Sequence, residues 1–462
     1  MQKAIVFVIL LFQVAWASGY ARSADEGQSA DSDQRTIVPE TATSEAVEPD
    51  VTTTEGIAPD LVELEASDPQ AIESEDDGDW HPVETDPAPR VGQPRVLTAE
   101  QQALRDRIRR CLAHYFYNPE TTSRRSPWGV MHAVVGFGVD TPLIASGKQV
   151  NAISWLCANA PCLGMQMLYG QNGQLGVRMG PGYQGHAGQL LCILAQSRVK
   201  IDYPLVINGR QMTVADLVRH EQDTCRAHTE LTFKLIGLSY YLDPDATWNN
   251  LAGEQWDVQR MLREELAQPI AGAACGGTHR LTGFSYAVCK RETSGKPMTG
   301  QWKRAQKFLD EFHEHAFKLQ NPDGSFSTQW FVQRSDYGNL NRKLNTTGHI
   351  LEWLVYSLSE QQLTDARTVR AVEYLTNLLW QYRGYDWEIG PKGHAIHALS
   401  LYDERLFGGK LGERDVQLAQ ARDAVSRDEN PIAAHSEPTF HSEDRSAVAP
   451  RNVPPRRRRR FR

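Results

Sequence analysis

The chain has 462 residues, of which 40% are hydrophobic, with 49 Lys and Arg against 57 Asp and Glu. That is enough apolar matter for a sizeable core, which excludes a wholly disordered chain. The formal charge of −8 is unevenly spread, and residues 91–421 carry only about +4, too little for a specific nucleic-acid surface.

The chain opens on "MQKAIVFVILLFQVAWA", with Lys3, an apolar run from Ala4 to Phe12, and Ala15-Trp16-Ala17 as a small-x-small cleavage pattern. Residues 1–17 read as a secretory signal peptide, which implies an extracytoplasmic protein, periplasmic or secreted, with no transmembrane segment in the mature chain. Residues 18–95 read as an acidic linker: 20 acidic residues stand between Ala24 and Arg90 against Arg35 and Arg90 alone. So little apolar surface cannot offset the entropy of ordering, so disorder is expected there. Residues 96–421 carry the helical pattern. Residues 422–462 read as a disordered basic tail, whose run from Arg456 to Arg462 suits an anionic surface.

Within 96–421, amphipathic helices are predicted at "TAEQQALRDRIRRCLAHYF", which opens with a capping-box pattern at Thr98 and Gln101, and at "NAISWLCANAPCLGMQMLY" and "TVADLVRHEQ". Three more follow at "VQRMLREELAQ", "GQWKRAQKFLDEFHEHAFKLQ" and "DARTVRAVEYLTNLLWQY". Between them a second pattern recurs six times, a polar lead-in, a histidine and an apolar run, at His132, His186, His228, His279, His349 and His394. Successive histidines stand 54, 42, 51, 70 and 45 residues apart, the length of two helices with their connections. The His-headed helices are apolar nearly all round and should be buried on most sides. Six buried and six amphipathic helices describe two concentric layers, an all-α (α/α)6 toroid of outer and inner helix pairs; the open alternative is a bent solenoid. In the toroid the inner helices run parallel, so the six histidines rim one mouth.

The lead-in "LQNPDGSFSTQWF", Leu319 to Phe331, resembles the Q-x-x-D-G-x-[WF] core of the QW repeat of squalene and terpenoid cyclases, with a degenerate echo in "YGQNGQLGVRMGPG". With the two-layer pattern, the region from Thr98 to Phe407 is similar to the α/α toroid of terpenoid cyclases and protein prenyltransferase β subunits. That resemblance implies the fold. It does not extend to the chemistry: "DPDAT", with Asp243 and Asp245, lacks the last carboxylate of the cyclase Asp-x-Asp-Asp acid, and the prenyltransferase zinc motifs are not recognisable.

A histidine in the first turn of a helix feels the positive end of the macrodipole and stays neutral, as a metal ligand or general base must be. Residues three apart share a helix face, which groups His349 with Glu352 and His394 with His397. Three readings follow. Cys275, His279, His349 and His394 offer N and S donors suited to zinc, although the seven cysteines match no standard zinc spacing. Glu352 and Glu230, with His349, offer acid–base groups for a glycan hydrolase or lyase, walled by Trp128, Trp330, Phe331 and Trp387. The third reading is a non-catalytic scaffold tethered by its charged tails. The leading expectation is a protein that binds or processes an extracytoplasmic ligand in a cavity rimmed by His132, His186, His228, His279, His349 and His394, with the glycan enzyme and the scaffold as alternatives. Of the cysteines, Cys157 with Cys162 and Cys275 with Cys289 are spaced to pair, while Cys111 and Cys192 fall on apolar helix faces.

Overall fold

A computed structural model describes residues 96–427, Asn172 apart. The expected signal peptide, the acidic linker and the arginine run from Arg456 to Arg462 lie outside the described residues. In chain order the first elements are α1 (Ala99–Phe116), β1 (Glu120–Thr121), α2 (Pro127–Phe137), β2 (Pro142–Ala145), β3 (Lys148–Asn151) and α3 (Ala152–Cys157). There follow β4 (Leu168–Gln171), β5 (Gln174–Val177), α4 (Gln189–Gln196), β6 (Pro204–Ile207), β7 (Arg210–Thr213), α5 (Val214–Asp223) and α6 (Thr232–Tyr241). Next come β8 (Thr247–Asn249), β9 (Gln255–Asp257), α7 (Val258–Leu266), α8 (Thr278–Thr293) and α9 (Gly300–Lys318). The last are α10 (Leu340–Ser357), α11 (Glu360–Leu363), α12 (Ala366–Gln381), α13 (Ile389–Phe407) and α14 (Arg414–Arg427).

The protein is mostly helical, and its helices divide into two kinds. In α2, α4, α6, α8, α10 and α13 nearly every residue of the apolar run is buried. Contacts pass from α2 to α4, then to α6, α8, α10 and α13, and α13 packs in turn on α2. In α1, α5, α7, α9 and α12 one face is buried and the other solvated. These helices lie against the buried set, α1 on α13, α5 on α4 and α6, α7 on α6 and α8, α9 on α8, and α12 on α10 and α13. The expected capping box of α1 is formed: Gln101 N–H donates to Thr98 Oγ1 at 3.3 Å and Thr98 N–H to Gln101 Oε1 at 3.0 Å. Close approach in the buried set needs glycine. A Cβ on Gly393 of α13 would stand 2.1 Å from the His132 carbonyl oxygen of α2.

The all-α expectation needs correction, because nine short strands occur among the described residues, as one three-stranded sheet and three hairpins. Hairpin β2–β3 separates α2 from α3, β6–β7 separates α4 from α5, and β8–β9 separates α6 from α7. The first two turn through Ser146-Gly147 and Asn208-Gly209, all four residues at positive φ, the conformation that suits two-residue turns to strand twist. The long helix expected over "NAISWLCANAPCLGMQMLY" is only the six residues of α3, since Asn159 and Leu163 turn to positive φ on either side of Pro161. At the far end α14 continues to Arg427, past the boundary expected at 421. It is anchored by Arg414, whose Nη1 donates to the fully buried Asp403 at 2.8 Å; Asp403 also accepts from Arg109 Nε of α1 at 2.9 Å. The QW-like loop is a staple: Gln320 Nε2 donates to the carbonyls of Gly324 and, at 2.9 Å, of Arg367 in α12.

Candidate functional site

Four of the six repeated histidines meet. His132 lies in the second turn of α2, His279 is the second residue of α8, and His394 lies in the second turn of α13. His349 is well inside α10, because Asn339 caps that helix by accepting from Arg342 N–H at 2.9 Å and the whole lead-in is helical. The first-turn position expected for all six therefore holds only for His279, and the dipole argument gives way to burial for the others. His186 sits in a bend three residues before α4. His228 departs furthest from expectation: its side chain is 93% exposed and stands 3.8 Å from Glu264. Its place is taken by Phe233, whose ring lies 4.7 Å from His186 and 4.9 Å from His279. The signal was present, since "TFKLIGLSY" of α6 and "THRLTGFSY" of α8 align residue for residue with Phe233 under His279.

The His394 and His349 ring centroids are 3.9 Å apart, and His279 lies 5.0 Å from His394 and 5.2 Å from His349. His132 joins at 5.7 Å from His394. One ligand atom each of Cys275, His279 and His349 fall within 4.8 Å of one another. Cys275 is brought there by three consecutive left-handed residues, Cys275, Gly276 and Gly277, at φ 49°, 64° and 85°. That conformation costs a non-glycine residue about 1–2 kcal/mol, so the packing around the loop must impose it. Trp330 lies directly over Gly276, where a Cβ would come within 2.2 Å of the indole.

Hydrogen bonding fixes which nitrogen is free in His132 and His349. A backbone carbonyl can only accept, so His132 Nδ1–H donates to Trp128 O and His349 Nδ1–H to Asn345 O, each at 2.8 Å, leaving Nε2 with a lone pair. His394 and His397 direct Nδ1 at the two oxygens of Glu352, at 2.7 and 2.5 Å. The same-face pairing of Glu352 with His349 expected from spacing is thus replaced by pairing across helices, from α10 to α13. Burial pushes His132 down to about 3, and His349 and His279 well below the usual histidine range, so all three are neutral at pH 7. Burial alone would raise Glu352, but His394 and His397 outweigh it and hold the carboxyl well below its ordinary range, ionised. Burial pushes the Cys275 thiol up to about 12 in the absence of a cation.

The donor set fits a zinc-class ion. It has nitrogen and sulfur donors, and His349 is a neutral imidazole whose Nε2 is free and whose ring is oriented by the Asn345 carbonyl, the arrangement of ligating histidines generally. Tetrahedral zinc sets its ligand atoms about 3.5 Å apart, so binding requires a contraction of up to about 1.3 Å from the 4.8 Å bound. The set fits carbohydrate chemistry poorly: both oxygens of Glu352 are taken, and Glu230 is held by His186, its Oε2 2.6 Å from Nδ1. Of the aromatic walls, Trp128 packs at a tilt against His132, ring centroids 4.0 Å apart, and Trp330 meets His349 edge-on at 5.9 Å. Trp387 is instead buried against Tyr382 and Tyr385, and Phe331 packs on Trp353 and Phe312. No disulfide joins any of the cysteines among the described residues, so neither spaced pair is linked. Beyond Glu352, His397 lines a small cavity with Tyr240, Tyr286, Tyr356, Arg198 and Glu404 that sequence reading missed, its residues lying toward the C-terminal ends of the buried helices. No helix among the described residues is long and apolar enough to cross a membrane. Compared with known protein families, curated proteins and solved structures, the chain matches none.

Proposed function

We propose that this protein is an exported (α/α)6 toroid, similar to the terpenoid-cyclase and prenyltransferase group, that holds a zinc-class ion at one mouth of its inner helices and there binds and processes an extracytoplasmic ligand. The observation that carries the reading is the convergence of Cys275, His279 and His349 within 4.8 Å, beside His394, whose ring is oriented by the Glu352 carboxylate. The cyclic order of helix contacts and the QW-like staple support the toroid. Cys275, His279, His349 and His394 are the ligands, and Trp128, Trp330 and His132 wall the approach. The ion supplies Lewis acidity when bound, and the charge it brings lets Cys275 serve as thiolate. Without a cyclase acid the ligand is not cyclised by protonation.

The test is elemental analysis of the full-length protein purified without chelator. About one equivalent of zinc, cobalt or nickel is expected, with most of it lost in Cys275→Ser and His349→Ala and retained in His228→Ala. Less than about a tenth of an equivalent in the wild type refutes the reading and leaves a scaffold as the remaining use of the fold.

A further inference from the structure

His186 and Glu230 stand apart from the four clustered histidines, from which Phe233 screens them. Their side chains are 32% and 36% exposed, whereas His132, His349 and His394 are almost fully buried. His186 Nδ1 lies 2.6 Å from Glu230 Oε2, which leaves Nε2 as the accessible nitrogen. Both members are held rigidly. The His186 ring stacks on Phe233 at 26°, and its carbonyl accepts from Gln189 N–H at the start of α4. Glu230 is fixed from either side: Leu231 N–H donates to Glu265 at 2.7 Å, and Gln268 Nε2 donates to the Thr229 carbonyl at 3.2 Å. A carboxylate that locks one imidazole nitrogen and leaves the other facing the opening is the arrangement of a general base with its orienting partner.

We propose that His186 is a general acid–base residue of this mouth and Glu230 its positioning residue, serving hydrolysis of a carbonyl ligand, an ester or amide, bound at the ion. The proposal rests on the ion-binding reading above. His186 Nε2 takes a proton from water as the water oxygen forms its bond to the carbonyl carbon and the C=O π pair moves onto the carbonyl oxygen. The O–H bond breaks, an N–H bond forms, and the imidazolium is stabilised by Glu230. The π bond then re-forms as the bond from carbon to the alkoxide or amine breaks, and the same proton passes to that departing group, which restores neutral His186. The groups facing His186 are Glu230 from the loop before α6, His279 of α8 across Phe233, and His132 of α2, and of these Glu230 alone hydrogen-bonds to its ring.

The test uses the zinc-loaded full-length chain with 4-nitrophenyl acetate, and the metal-free chain with diethyl pyrocarbonate. His186→Asn should retain its zinc and lose hydrolysis by about a hundredfold, within the usual range for a general base. Glu230→Gln should lose about tenfold and move the acid limb of the pH–rate profile down by about one unit. Hydrolysis at the wild-type rate in zinc-loaded His186→Asn overturns the proposal. A wild type that binds no zinc overturns the ion-binding reading instead, and the dyad is then judged on carbethoxylation, located by peptide mass spectrometry. His186 should be the first mouth histidine modified, with a pH midpoint lowered by about one unit in Glu230→Gln; an unchanged midpoint overturns the pairing.

Discussion

Glu352→Gln isolates the group on which the cluster depends. The carboxylate, 4% exposed, accepts from two imidazoles at once, His394 at 2.7 Å and His397 at 2.5 Å. Glutamine is nearly isosteric but offers one acceptor and one NH2 donor. Whichever histidine meets the NH2 must present a bare Nδ1, moving its proton to Nε2. If that ring is His394, the nitrogen needed for a metal is blocked. The loss of one charge-assisted hydrogen bond amounts to about 1.5–3 kcal/mol, offset in part because a neutral amide is easier to bury than a carboxylate. We expect the variant to be destabilised by about 2 kcal/mol, read as the midpoint shift in urea unfolding of the metal-free protein. Zinc affinity should fall about 10–100-fold, as for other lost outer partners of ligating histidines, read by competition with a chromophoric chelator. A variant with wild-type midpoint and wild-type zinc affinity would refute the reasoning, since it would mean that neither histidine depends on the carboxylate.

Two further outcomes are expected. Unfolded histidines bind protons near pH 6.5, whereas buried His132, at about 3, and His349, well below its usual range, do not, so the unfolded state takes up more protons and stability falls with pH below 6.5. His132 contributes a loss of about 2 kcal/mol between pH 7 and 5, and His349 adds a loss in the same direction. Glu352, depressed, adds a loss in the same direction only below the carboxylate range, as pH falls toward its folded value. Urea midpoints across that range measure the loss, and a flat profile between pH 7 and 5 would contradict the burial of these neutral rings. Gly393→Ala should drive α13 from α2, because the new Cβ meets the His132 carbonyl at 2.1 Å. We expect about 1–3 kcal/mol of destabilisation together with weaker metal binding, and an unperturbed urea midpoint would count against that close approach.

Much of the helical frame was legible because it depends on local chemistry. The capping box at Thr98 and Gln101, the one-sided pattern of α9 and α12, and the all-round apolar character of α6 and α10 follow from spacing alone. The hairpins were legible too but went unread: "VINGRQ" carries the Asn-Gly turn signal, and its likeness to "IASGKQ" marks a second repeat. The repeat places His279, His349 and His394 together, and Cys275 follows from standing four residues before His279; of these four, Cys275, His279 and His349 bring ligand atoms within 4.8 Å of one another. His228 was misplaced for the same reason, since a histidine four residues before a helix looks like a helix head when only one periodicity is followed.

The sequence by itself determined most of the helical segments and which of those are buried, because these depend on residue spacing along the chain. Only the tertiary structure decided the partners. Glu352 shares a helix with His349 but bonds His394 and His397 on the neighbouring helix α13, and Glu230 reaches back to His186, 44 residues earlier. Those choices depend on how close two helices approach and on their relative rotation. Both are set by contacts such as Gly393 against the His132 carbonyl, which couple residues far apart in the chain and leave no period in it.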